Sequence, residues 1–256
     1  MISNKNIIEF IKKEIELSEA DTSWYKIITE SLIKNLDDEY ITSLTDCDYF
    51  PSFRKIFSPF KTPFESVEFI LFGESPYPRA GSATGYSFID GEVKDIWSDK
   101  GLSKKVNRAT SLRNIIKTAM VAEGLVSEEL KKEDIINLDK TNLSKTMEDI
   151  KNSFISKGFL LLNASPILRE DRSKKAIRSD FYKWGGFYRD ILRELDLREC
   201  NWTTSIILWG GIAKDIEDIY KPQKIEFIKM EHPYNISFIS NPVAISLFSR
   251  ISILSK

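Results

Sequence analysis

Four short apolar runs constrain this chain more than any other feature of its sequence. They are Val67-Glu68-Phe69-Ile70-Leu71-Phe72, Gly158-Phe159-Leu160-Leu161-Leu162, Ser205-Ile206-Ile207-Leu208-Trp209 and Ile225-Glu226-Phe227-Ile228-Lys229-Met230. Each is long enough for a buried strand and too short for a helix. Each stops at residues that end regular structure: Gly73-Glu74-Ser75-Pro76-Tyr77-Pro78, Asn163-Ala164-Ser165-Pro166, Gly210-Gly211 and Glu231-His232-Pro233-Tyr234-Asn235. Helical patterns fall between and after them, at Phe181–Leu195, Ile212–Tyr220 and Val243–Leu254. Buried strands alternating with helices predict an α/β chain, a three-layer α/β/α arrangement around a central four-stranded parallel twisted sheet. Right-handed crossovers then bring all four strand exits to one edge, so polar residues scattered along the chain converge at the carboxyl ends of the strands.

The remaining segments read as packing. Ile7, Ile8, Ile11 and Ile15 have helical spacing, and Asp21 or Thr22 is positioned to cap a second helix through Trp24, Ile27, Ile28, Leu32 and Ile33. Tyr49–Phe60 reads as a short helix leading to the first strand. Gly81-Ser82-Ala83-Thr84-Gly85 is a supple patch ending in Tyr86-Ser87-Phe88. Residues 89–110 are charged and read as a loop, Ser111 is expected to cap a helix through Met120, and residues 124–150 are polar with helical tendency. One domain over 1–256 is expected, with the helical part at 1–65 packed on the same core.

Composition removes several classes. Two cysteines, Cys47 and Cys200, far apart, imply neither a disulfide framework nor a CxxC metal site, and they are too few for a cluster held by four thiolates. No metal site and no cofactor are expected. No apolar run is long enough for a membrane span and the first residues do not read as a signal peptide, so a reduced cytoplasmic protein is expected; separately, a monomer is expected. The net charge of −1 carries no global basic footprint for nucleic acid, yet leaves room for an enzyme that grips a few phosphates locally. Lys174, Lys175 and Arg178 form the densest basic cluster near a strand exit; such a cluster is more often a solvated face than a DNA contact. No G-x-G-x-x-G or G-x-x-x-x-G-K-[ST] follows a strand, which argues against a phosphate-loop nucleotide binder.

His232 is the one histidine, and it stands at a strand exit instead of in an apolar stripe. Lone histidines are usually structural or solvent-exposed. At a strand edge, a neutral imidazole can also donate a hydrogen bond to an oxygen that gains charge in a transition state.

Taken together, the exits resemble the uracil-DNA glycosylases over most of the chain. The motifs come in that family's order: Gly73-Glu74-Ser75-Pro76-Tyr77, Gly85-Tyr86-Ser87-Phe88, Ser111-Leu112, Leu160-Leu161-Leu162-Asn163, Leu208-Trp209-Gly210 and His232-Pro233-Tyr234-Asn235-Ile236-Ser237. The resemblance implies an enzyme that flips uracil out of single- or double-stranded DNA and hydrolyses its N-glycosidic bond, leaving an abasic site. It implies that Phe88 stacks on the base and that Asn163 pairs with its N3–H and O4. Tyr77 would exclude a C5 methyl, and Glu74 joins these as a uracil-binding position. His232 would stabilise O2, and Ile236 would enter the base stack as an apolar wedge. Ser111, Gly210, Gly211, Tyr234 and Ser237 would meet the DNA strand.

The departures are specific. The family's water-activating aspartate falls at Ser75, the second catalytic position with His232, and a serine carries no negative charge at neutral pH. One opposite charge at ~4 Å is worth about 4 kcal/mol at an effective dielectric near 20, roughly a thousandfold in rate. Iron–sulfur relatives with a GEAP motif also lack the acid there; Glu74, Asp90 or Glu231 are the carboxylates available to compensate. Pro78 stands for a common histidine, Ala109-Thr110 for a proline pair, and Tyr234-Asn235 for Ser-Pro. The intervals at 89–110 and 121–156 are longer than usual for the family. The alternative to the enzyme is a silent DNA- or uracil-binding protein on the same scaffold.

Overall fold

A computed structural model describes residues 4–46 and 48–256, so Cys47 lies outside the described residues. The first part of the chain is helical: α1 (Asn4–Glu16), α2 (Tyr25–Asn35) and α3 (Asp38–Asp46). Asp21 accepts the Ser23 N–H and caps a single 3₁₀ turn that runs into α2. The Tyr49–Phe60 segment contains more than a helix. A two-residue strand, β1 (Tyr49–Phe50), precedes a 3₁₀ helix at Phe53–Lys61.

The four apolar runs form one sheet. They are β2 (Phe69–Gly73), β5 (Phe159–Asn163), β7 (Ser205–Trp209) and β8 (Glu226–Met230), in the order β5-β2-β7-β8 with every pair parallel. The register sets Gly73 beside Asn163 and Trp209 beside Met230, so the four exits share an edge. Side chains alternate between two cores, as the period of two dictates. Ile70, Phe72, Leu160, Leu162, Ile206 and Leu208 face one, and Phe69, Leu71, Phe159, Leu161, Ile207 and Trp209 face the other. One departure from expectation is β8, whose Glu226 and Lys229 are exposed. It is an edge strand, so its polar positions reach solvent.

Residues 89–110 are structured, against the expectation of a loop. The hairpin β3 (Trp97–Ser98) and β4 (Gly101–Leu102) leads to α4 (Lys104–Arg108). Ile89, Val93, Ile96, Leu102 and Val106 are buried in the second core, so widely spaced apolar residues anchor an otherwise charged segment. The helix α5 (Thr110–Ala122) starts one residue before Ser111, so Ser111 is not its cap; α4 and α5 abut at Ala109. Of the polar stretch at 124–150, α6 (Lys132–Asn137) and the start of α7 (Met147–Ser156) are helical. The rest is turn and extended chain, including a bridge from Leu143 to Ser255. A capping box formed by Thr146 and Asp149 starts α7.

After β5, the strand β6 (Leu168–Arg169) pairs with β1. The helix α8 (Lys174–Leu197) begins seven residues before its apolar pattern, because Ser173 caps it at the Ala176 N–H and the first turns are solvated. The last two helices, α9 (Ile212–Ile219) and α10 (Pro242–Ile251), follow β7 and β8. Trp24, Ile28 and Leu32 share the first core with Phe187, Ile191 and Leu192 of α8, and α5, α7 and α10 cover the other face. No described helix is long and apolar enough to cross a membrane.

Candidate active site

The strand exits are stitched in pairs by backbone hydrogen bonds, β5 to β2 and β7 to β8. Ala164 N–H donates to Gly73 O at 2.8 Å and Ser165 N–H to Glu74 O at 2.9 Å, while Gly210 N–H donates to Met230 O at 3.0 Å. Gly73 carries no side chain because a Cβ there would meet Ser87 Cβ at 2.9 Å and Asn163 Oδ1 at 3.0 Å. Gly210 has φ +70°, and a Cβ on it would come within 2.9 Å of the His232 Cβ. The close approach of glycine lets two exits meet.

A cleft of about 260 Å³ opens at this edge, lined by Glu74, Ser75, Tyr77, Phe88, Ser111, Asn163 and His232 among others. These seven candidates come from five separate stretches of the chain and line one cleft. Asn163 is buried; its Nδ2 donates to Gly85 O at 3.3 Å, which leaves Oδ1 and the second amide hydrogen for a ligand. The backbone carbonyl of Asn163 accepts from the buried Tyr188 hydroxyl at 2.5 Å, which fixes the strand end. Phe88 is held at φ +60°, an uncommon conformation for a bulky residue. Its ring packs edge-on to Trp209 at 4.8 Å and lies 6.3 Å from the His232 ring. Burial, followed by the charge on Asp90, pushes the Tyr77 phenol above its ordinary range, so it is a neutral wall of the cleft.

His232 is half-buried, and its Nδ1 accepts the Tyr234 N–H at 3.0 Å. The neutral ring therefore carries its proton on Nε2, free to donate. Burial holds the imidazole below its ordinary value of 6.5, and the nearby Glu74 carboxylate opposes that shift. At neutral pH the site thus presents an uncharged N–H donor.

The other candidates lie around the cleft. Tyr234 and Ile236 project from the loop after β8 with 67% and 70% of their surface exposed, far more than apolar packing would leave. Ser237 is also exposed, and its hydroxyl donates to Glu231. Gly211 is open and precedes α9. Among the three carboxylates considered for compensation, Glu74 alone lines the cleft. Asp90 is buried, accepts the Glu92 N–H at 2.9 Å and lies 3.6 Å from Arg79. Glu231 is engaged by Ser237 and Asn241. Among the described residues, no group of three histidine, cysteine, aspartate or glutamate side chains is placed to hold a metal.

Sequence reasoning missed Asn114. Fully buried on α5, its Nδ2 donates to Pro233 O at 2.8 Å and Asn235 O at 3.2 Å, so it grips the loop on both sides of Tyr234. A polar residue inside the apolar stripe of Leu112, Ile115 and Ile116 was the available signal.

No protein-family model matches the chain. A uracil-DNA glycosylase from Fusobacterium nucleatum is 24% identical over 234 residues, covering 86% of this chain and 84% of that protein. A uracil-DNA glycosylase from Dictyostelium discoideum is 25% identical over 236 residues, 88% of this chain and 57% of that protein. The crystal structure of wild-type UNG from Nitratifractor salsuginis superposes with a TM-score of 0.89 at 35% identity, covering 97% of this chain and 98% of that one. The uracil-DNA glycosylase of mimivirus shares the fold, with a TM-score of 0.56 at 17% identity over 88% of this chain and 73% of that one.

Proposed function

Since the chain belongs to the uracil-DNA glycosylase family, we propose that the cleft at the strand exits is where it receives uracil flipped from DNA. The protein is a DNA-repair glycosylase, a hydrolase of N-glycosyl bonds. In this reading, the base enters between Phe88 and the loop of Tyr77, with Asn163 pairing to its N3–H and O4. Cytosine presents the inverted donor pattern and mismatches, and Tyr77 blocks the methyl of thymine. His232 Nε2–H faces the pyrimidine O2, where negative charge develops as the glycosidic bond lengthens. Exposed Ile236 and Tyr234 fill or flank the gap left in the stack, and Ser111, Gly210, Gly211 and Ser237 meet phosphates. Water attacks C1′, and the base departs as an anion that takes up a proton.

The observation that carries the reading is that Tyr77, Phe88, Asn163 and a neutral His232 line one cleft. Incubation with single- and double-stranded oligonucleotides containing uracil is expected to free the base and leave an alkali-labile abasic site. No release by folded protein at stoichiometric concentration overturns it.

A second reading, a silent binder of the same ligand, rests on Ser75, which lines the cleft where the family places its acid. Ser75→Asp separates the two. For an enzyme that runs without the acid, the substitution raises kcat by up to about a thousandfold from a measurable wild-type rate. For a binder, activity arises from none.

A further inference from the structure

Breaking the C1′–N1 bond leaves its electron pair on the base and positive charge on the sugar. The reaction therefore calls for a negative group near the sugar as much as for a donor at O2. His232 supplies the donor, but Ser75 brings no charge, and Tyr77, Ser111 and Asn163 are neutral as well. Glu74 is the one carboxylate that lines the base cleft, and no lysine or arginine lines it. We propose that Glu74 is a catalytic residue of this chain, whose carboxylate stabilises the charge on the sugar and takes a proton from the attacking water. The role rests on the glycosylase reading of the cleft.

The backbone around Glu74 is fixed. Gly73, just before it, accepts the Ala164 N–H at 2.8 Å and pairs in register with Asn163, while the Glu74 carbonyl accepts the Ser165 N–H at 2.9 Å. Pro76, two residues on, is buried. The side chain, by contrast, is exposed and makes no hydrogen bond or ion pair among the described residues. The other carboxylates near the exits are engaged: Asp90 by the Glu92 N–H and Arg79, and Glu231 by Ser237 and Asn241. The Glu74 charge also acts on the His232 ring, so it stands within electrostatic range of the group that faces O2.

A free carboxylate is unfavourable where a polyanion docks. It repels bound DNA in the ground state, and only the positive charge that develops during reaction makes it an asset. An opposite charge at ~4 Å accelerates a step about fivefold at the dielectric of water and about a thousandfold at an effective dielectric near 20. DNA covering the cleft expels water, which sets the contribution between those limits, at roughly ten- to a hundredfold. In the step itself, water adds to C1′ and loses a proton to Glu74, which returns it to solvent. The base leaves as an anion and takes up a proton.

A double-mutant cycle tests the role. Values of kcat and KM for uracil release are measured above the acid limb of His232. The proteins compared are wild type, Glu74→Gln, Ser75→Asp and the double variant, each checked for native circular dichroism. Glu74→Gln keeps the size of the side chain and removes its charge. It is expected to lower kcat roughly ten- to a hundredfold and to leave KM unchanged or lower, because the repulsion of DNA is gone. A residue that merely held the strand would raise KM instead. In the Ser75→Asp background, where aspartate brings charge from the adjacent position, the same substitution is expected to cost only a few-fold. Glu74→Gln at wild-type kcat, or an equal loss in both backgrounds, overturns the assignment. A wild type that releases no uracil overturns the glycosylase reading along with it, whereas an active wild type indifferent to Glu74→Gln overturns the role alone.

Discussion

At the scale of single residues, the site sets neutral groups beside one carboxylate, Glu74. The Tyr234 N–H on Nδ1 makes His232 a donor at Nε2, and protonating Nδ1 would set two donors against each other. Acid therefore removes both the loop contact and the neutral ring. Since burial lowers the His232 value, the acid limb of kcat is expected below pH 6.5, the ordinary histidine value. Glu74 opposes that shift, so Glu74→Gln should move the limb to still lower pH. A pH–rate profile of both proteins checks this, and a limb moving upward contradicts the assignment. The same linkage acts on stability. The folded ring binds its proton less readily than the unfolded one, so His232 costs stability as pH falls below 6.5. The serine at 75 belongs to the same pattern, and Glu74 is the one compensating carboxylate candidate that borders the cleft.

At the scale of elements, what matters is how loops without regular structure are held. The loop after β8 carries His232, Tyr234, Ile236 and Ser237, and Asn114 of α5 ties it down through two carbonyls. Asn114→Ala leaves those acceptors without their donor, which costs about 1–3 kcal/mol. The imidazole then loses its fixed position, and a displacement near 1 Å is enough to cost on the order of a hundredfold in rate. The expected result is a lower melting temperature with kcat reduced ten- to a hundredfold. Folded Asn114→Ala at wild-type kcat would show that the loop is held by other contacts. Elements also explain where the sequence misled. Ser111 resembles a cap by type, but α4 and α5 meet at Ala109 and start the helix a residue earlier. The charged 89–110 segment hides buried apolar residues three to six positions apart, a spacing that sustains neither a helical nor a strand period.

At the scale of the molecule, the helices before residue 47 are half of one wall. Ile11, Ile15, Trp24, Ile28 and Leu32 are fully buried, and α2 packs along α8. Each such side chain contributes about 1.5–3 kcal/mol, so the five together are comparable with the 5–15 kcal/mol that stabilises a typical domain. The single-domain reading of 1–256 therefore predicts that a chain beginning at Asp48 fails to fold cooperatively. A two-state thermal melt with native circular dichroism from that truncation would separate the amino-terminal part as its own unit. The sequence by itself determined the parallel sheet, the common edge of its exits, and the motif residues Tyr77, Phe88, Asn163 and His232. Short apolar runs and the residues that stop them are local signals, and a parallel sheet has few ways to cover both faces. Tertiary structure alone decided the rest: that Glu74 lines the cleft with His232, that Asn114 grips the His232 loop, and that Lys174 has no ion-pair or hydrogen-bond partner among the described residues. Those facts depend on which distant side chains meet, and in a single sequence a paired lysine and an unpaired one look the same.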